Sequence, residues 1–179
     1  MVRSHMLEAA EWTEFCFDEK KWTVPFRKLK MSTERTQAGK SQADLIVPLS
    51  EQAIKLLHEL QKITGHTPYL LPTRSKEGEI VPMCEGTLND ALHNLGYKGL
   101  HCAHGFRSSA STLLNRERVN GRRRFEMALV EMQQDRLDAS TRAIYDRDDR
   151  LPERIELMQF WADRLDAIRK GAQVLPFAA

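Results

Sequence analysis

The sequence predicts an α+β fold, mainly helical, with a small antiparallel sheet near the N-terminus packed on a helical body. Short extended runs bounded by turn signals fall before residue 50. Apolar residues at helical spacing fill most of the second half. The 179 residues, 41% hydrophobic and 29% charged, suffice for one domain with a buried core.

The elements follow in order. Ser4-His5-Met6 resembles the scar of a removed tag, so residues 1–6 read as a cloning remnant. Residues 12–25 read as a hairpin. Trp12, Phe15 and Phe17 lead into the turn-like Asp18-Glu19-Lys20-Lys21, and Trp22, Val24 and Pro25 follow. Residues 27–43 are polar and basic and read as a mobile loop. Asp44 to Leu49 is a short strand, and Ser50 is a helix N-cap. Glu51 sits in the first turn, and Ile54, Leu57 and Leu60 follow at helical spacing. Tyr69-Leu70-Leu71 adds an extended piece.

Thr87 to Leu95 reads as a short helix ended by Gly96. His104 to Asn115 is another, with Phe106, Ala110, Leu113 and Leu114 as its apolar stripe. Arg116 to Arg124 is a basic connector holding the turn pair Asn120-Gly121. Glu126 to Gln134 and Ser140 to Tyr145 read as helices. The last helix begins near Pro152, a residue suited to a first turn. Its stripe is Ile155, Met158, Trp161-Ala162, Leu165 and Ile168. Residues 171–179 read as a flexible tail.

Charge and cysteine usage narrow the function classes. Lys and Arg total 27 against 25 Asp and Glu, for a net charge of +2. Any basic surface must therefore come from local clusters. Two exist: Arg122-Arg123-Arg124, and the loop carrying Arg27, Lys28, Lys30, Arg35 and Lys40. Clusters of this kind suit backbone phosphates, which fix position without reading sequence. No apolar run approaches the roughly 18 residues of a membrane span, and no signal peptide is visible. Cys16, Cys84 and Cys102 form no even framework and no CxxC, which points to a reducing, cytoplasmic setting. His93, His101, His104, Cys84 and Cys102 match no standard zinc spacing. No Gly-rich phosphate loop, HExxH or GxSxG is present. No cofactor and no metal are expected.

The most informative segment is His104-Gly105-Phe106-Arg107. His and Arg three apart share a helix face. The apolar stripe is expected to face elsewhere, which frees both from the core. A guanidinium gives bidentate donors to phosphate oxygens, and an imidazole moves protons near neutral pH. Alone, this spacing is common by chance.

Its context is more specific. Ala103 to Leu114 closely resembles the HGFR…TLL box of tyrosine recombinases, more narrowly the phage and prophage integrases of the satellite-phage type. Further segments agree in the same order. Ala10-Glu11-Trp12-Thr13-Glu14-Phe15 and Ile46-Val47-Pro48-Leu49-Ser50 resemble the family's AEW and IVPLS stretches. Leu88 to Leu92 with Gly96-Tyr97 resembles its LN-AL…GY stretch. Arg142 to Arg147 resembles RAAYNR, and Met158 to Asp163 resembles MMQWWAD. The resemblance covers residues 7–170, which it marks as an integrase catalytic domain. It implies the tyrosine recombinase catalytic-domain fold, without the arm-binding and core-binding domains that precede it in the family.

The resemblance implies roles residue by residue. Tyr145 matches the nucleophile, which forms a covalent 3′-phosphotyrosine link. Arg107 matches the second catalytic arginine, and His104 a proton-transfer partner. Lys30 matches the lysine that protonates the leaving 5′ oxygen, with Lys28 and Lys40 as alternatives. Arg122, Arg123, Arg124, Lys28 and Lys40 are assigned to the DNA backbone. The family implies double-stranded DNA attachment sites as partner, a homo-tetramer on DNA, a free monomer, and accessory DNA-bending proteins. It also implies association with the nucleoid during action.

Two departures stand out. Arg3 lies at the right distance to match the first catalytic arginine, yet inside the segment read as a cloning remnant. The family's Leu-Ala-His segment is replaced by Gln133-Gln134-Asp135, so Asp135 stands where a histidine is expected. A carboxylate repels phosphate unless protonated, which leaves Gln134 or Arg136 as alternative contacts or the site degenerate. The fragment by itself is therefore expected to be inactive or weakly active. Two rivals remain: a DNA-binding relic without cleavage activity, and a helical protein-interaction module with no DNA role.

Overall fold

The computed structural model of the chain describes residues 1–29, 43–136 and 149–171. The predicted helix Ser140 to Tyr145, most of the basic loop and the tail after Gly171 lie outside these residues.

The N-terminal part is built on an antiparallel sheet of order β1-β2-β3. Its strands are β1 (Phe15–Cys16), β2 (Lys21–Val24) and β3 (Leu45–Pro48). Trp22 faces Phe15 on one side and Val47 on the other. Alternation along β2 buries Trp22 and Val24 and leaves Lys21 and Thr23 half-buried. These join Met6, Ala10, Leu29, Val47 and Leu70 in a first core. The Phe15 and Trp22 rings stack at 5.2 Å. Met6 comes from α1 (Ser4–Glu8) and is fully buried. Whatever their origin, the first residues pack into the fold.

α2 (Glu51–Thr64) follows as expected, with Ser50 Oγ accepting the Ala53 N–H at 3.3 Å. Leu57 and Leu60 rest on the first core. Beyond Tyr69, which bridges to Glu11, the chain forms a hairpin absent from the sequence reading: β4 (Pro72–Arg74) and β5 (Ile80–Pro82). Then comes α3 (Thr87–Leu92), continued by a wide turn in which Gly96 adopts φ 90°. That left-handed conformation explains why a glycine ends the helix.

The remaining elements form the helical body: α4 (Gly105–Arg116), α5 (Met127–Gln133) and α6 (Leu151–Arg169). Between α4 and α5, the predicted basic connector is a hairpin of β6 (Arg118–Val119) and β7 (Arg122–Arg123). Its tip residues Asn120 and Gly121 both have positive φ, the conformation a tight hairpin needs. Leu114, Phe125, Leu129, Val130 and Leu157 make a second core, and Met158, Phe160 and Trp161 pack against it. Among the described residues, no helix is long and apolar enough to cross a membrane.

Both predicted stripes of this body hold in part: Ala110 and Leu114 are buried, and Met158 and Trp161 pack on the second core, while their other members do not all turn inward. On α4 the buried residues are Arg107, Ala110 and Leu114, while Phe106 is 56% exposed and packs edge-on against His101. Arg107 is thus not free of the core; it lies on the buried face. On α6 the buried residues are Arg154 and Leu157, and Ile155, Leu165 and Ile168 are exposed. The helix is rotated relative to its apolar stripe because polar bonds choose its inner face. Arg154 donates to the carbonyls of Ile46 and Asp149 and to Gln133 Oε1, and Gln159 and Asp163 bond Gln52 of α2.

Candidate functional site

The last turn of α5 is where residues from distant parts of the sequence meet. A helix end leaves its final carbonyls without intrahelical donors, and its dipole makes them a negative pole. Here two arginines supply the donors. Arg107, from the first turns of α4, donates from one terminal nitrogen to the Gln134 carbonyl at 2.5 Å. Its other terminal nitrogen donates to the Met1 carbonyl at 2.8 Å. Arg3, from the N-terminus, donates to the Asp135 carbonyl at 3.0 Å. Asp135 itself adopts the left-handed φ of 49° just after the helix.

The charge balance of this cluster is positive. Arg107 is 3% exposed. Burial, then the neighbouring Arg3 and Arg136, push its pKa down to about 10, and Asp135 opposes them. It remains a cation at neutral pH. The same burial, with Arg107, lowers the Met1 α-amino group to about 6. The Asp135 carboxylate lies 4.0 Å from Arg3 Nε. The buried Nε–H groups of Arg3 and of Arg107 have no hydrogen-bond partner among the described residues. Two arginines gathered beside the Asp135 carboxylate make a guanidinium cluster, and phosphate is the anion guanidinium matches best.

His104 precedes α4 at the N-cap position, one turn before Arg107, and is exposed. Gly105 between them lies close against the His101 ring. A Cβ there would lie 2.7 Å from the His101 ring. The structure thus brings Arg3, Arg107 and Asp135 together and sets His104 at the rim. Gln134 is buried and turned inward, its amide donating to the Arg107 carbonyl at 2.8 Å, whereas Arg136 is exposed.

Other assignments fare differently. Lys28 is corrected from a backbone-reaching role to an internal one. Its ammonium donates to the Ala9 carbonyl at 2.7 Å and to the carboxylates of Glu11 and Glu14. Glu11 is held below the usual carboxylate range mainly by that bond. Arg122 and Arg123 stand exposed on β7. Arg124 is pinned to α6, paired with Glu156 at 3.2 Å and lying 4.3 Å over the Phe160 ring. Tyr145, Lys30 and Lys40 lie outside the described residues.

Sequence reasoning missed Gln133 as an anchor of the site. The available signal was two amides ending a helix that carries Leu129 and Val130. Also missed was Arg154, hidden by the stronger apolar stripe beside it.

Comparison with known proteins locates this arrangement. The model of the phage integrase family matches residues 3–127. Prophage integrase IntA of Escherichia coli (strain K12) is 34% identical over 171 residues, covering 94% of this chain and 37% of that protein. The integrase of Enterobacteria phage P4 is 34% identical over 172 residues, covering 94% and 38%. The integrase of Shigella phage Sf6 is 28% identical over 167 residues, covering 92% and 39%. The chain therefore spans well under two thirds of these relatives. No solved structure matches it.

Proposed function

The chain belongs to the phage integrase family, and on that premise we propose that residues 7–170 are the catalytic domain of a site-specific DNA recombinase, extended at its N-terminal side to take in Arg3, where the family match begins. The observation carrying this reading is the convergence of Arg3 and Arg107 on adjacent carbonyls at the end of α5, their buried Nε–H groups without a hydrogen-bond partner among the described residues. The two arginines hold the non-bridging oxygens of a scissile phosphate while negative charge develops on them. The Tyr145 hydroxyl attacks phosphorus. The bond to the 5′ oxygen breaks, leaving a 3′-phosphotyrosine link and a 5′-hydroxyl. A free tyrosine has a pKa of about 10, so it needs a proton acceptor and nearby positive charge. His104 takes part in that proton transfer, and Lys30 protonates the leaving oxygen. The phosphotyrosine bond stores the energy for rejoining, so neither metal nor nucleotide enters the reaction. Four protomers act on two duplexes, and Arg122 and Arg123 steady the backbone.

Asp135 favours a second reading, a DNA-binding relic. Its pairing with Arg3 argues for the active one, because the carboxylate does not face phosphate as an uncompensated charge. The test is covalent trapping on a nicked duplex spanning the attachment site, using the longest natural form of the protein. An adduct that survives denaturation and disappears in Tyr145→Phe supports cleavage. Intact DNA binding without an adduct supports the relic.

A further inference from the structure

We propose that Gln133 and Gln134 are positioning residues, which couple the seating of the last helix to the aim of the Arg107 guanidinium. This rests on Arg107 being a phosphate ligand, as argued above. The two glutamines stand where the resembled family pattern has Leu and Ala, so their amides are a feature of this chain.

Both side chains are buried at the end of α5, and each holds a different buried arginine. Gln134 grips Arg107 at both ends. Its backbone carbonyl accepts from the guanidinium, and its amide donates to the Arg107 backbone carbonyl. Gln133 Oε1 accepts from Arg154 Nε at 2.9 Å. Arg154 in turn binds the carbonyls of Ile46 on β3 and Asp149 just before α6. These hydrogen bonds of Arg154 all go to neutral acceptors, and the Asp149 carboxylate favours the buried cation through its charge. A buried cation tolerates little displacement, because each lost acceptor leaves a desolvated charge. Moving α6 therefore drags on Gln133, and Gln133 shares one helical turn with Gln134. The chain Arg154–Gln133–Gln134–Arg107 is short, buried and polar, which makes it stiff and directional. The apolar contact of Leu157 with Leu114 joins the same two helices but carries no orientation for a guanidinium.

A double-mutant cycle tests this with the whole chain and a short duplex of arbitrary sequence at low ionic strength. The variant Gln133→Leu/Arg154→Met replaces a buried polar pair by apolar groups, a change that commonly preserves folding. DNA affinity should fall about fivefold with Arg107 present and stay nearly constant in an Arg107→Ala background. Gln134→Ala keeps the backbone acceptor and removes only the amide tether. It should lose about threefold, again only when Arg107 is present, and carries the test if the first variant fails to fold. Equal losses in both backgrounds, or no loss, overturn the coupling and leave the functional reading standing. An Arg107→Ala variant that binds DNA as the unaltered chain does would sink the functional reading and the coupling with it.

Discussion

The two cores of this molecule are built on different principles. The first, around Met6, Trp22, Val24, Val47 and Leu70, is built of apolar side chains and buries carboxylates beside them: Glu8 on α1, and Glu14, which accepts the Trp22 indole N–H and pairs with Lys28. The second, around Leu114, Leu129 and Leu157, is bordered by buried Arg107, Gln133, Gln134 and Arg154. Burying guanidinium groups is costly, and well-packed apolar residues often do as well or better for stability. A core that nevertheless buries two of them is shaped by something other than stability. The first core holds the fold; the second holds the arginines.

This contrast is open to breaking by experiment. The largest effect belongs to the first core. Trp22→Ala should cost about 3–5 kcal/mol of stability in a denaturant titration. DNA affinity of the fraction that folds should be unchanged. In the second core Arg107→Met should do the reverse. Strand cleavage by the longest natural form should fall by about 100-fold to 1,000-fold, as when an oxyanion donor is removed. The thermal midpoint should fall only modestly, through the Met1 and Gln134 carbonyls that lose their donor. A large drop in midpoint would show that Arg107 is structural and dissolve the contrast.

A pH series sharpens the comparison through the Met1 amine. Its pKa is about 6 folded and near 8.0 when unfolded. Between those values the unfolded chain binds more protons, so stability should rise from pH 6 to pH 8. The gain is about 2–3 kcal/mol at most. Acetylation of the N-terminus should flatten this dependence in urea melts, and an unchanged slope would place its origin elsewhere. The smallest effect is local: Ser50→Ala removes the cap of α2 and should cost about 1 kcal/mol. It should leave DNA binding alone.

The same contrast decides what was legible in the sequence. The strand Leu45–Pro48 and the Ser50 cap follow from local alternation and capping chemistry, and both are found where expected. The hairpin Pro72–Arg74 with Ile80–Pro82 was hidden because strands of three residues are too short for alternation to show. On α4 and α6 periodicity found Ala110, Leu114, Met158 and Trp161 but erred at other positions. It weighed Phe106 and Ile155 as core, whereas hydrogen bonds to distant carbonyls drew Arg107 and Arg154 inward. For the site, the motif around His104 and Arg107 was readable. The meeting of Arg3 with Asp135, 132 positions apart, was not, because tertiary packing alone creates it. Lys28 was read as a free surface cation, since two glutamates on a neighbouring turn leave no sequence pattern.

The central claim is that Arg3 and Arg107 together form a phosphate seat. Its most direct test is the salt dependence of duplex binding for the chain, for Arg3→Gln, for Arg107→Gln and for the double variant. Each phosphate contact removed should lower the slope of log affinity against log salt by about one. Because both arginines hold the same phosphate, the account predicts a loss of about one in the double variant and no more than that in either single variant. A double-variant slope identical to that of the unaltered chain would contradict it, and would leave the two arginines as caps for the end of α5 and nothing more.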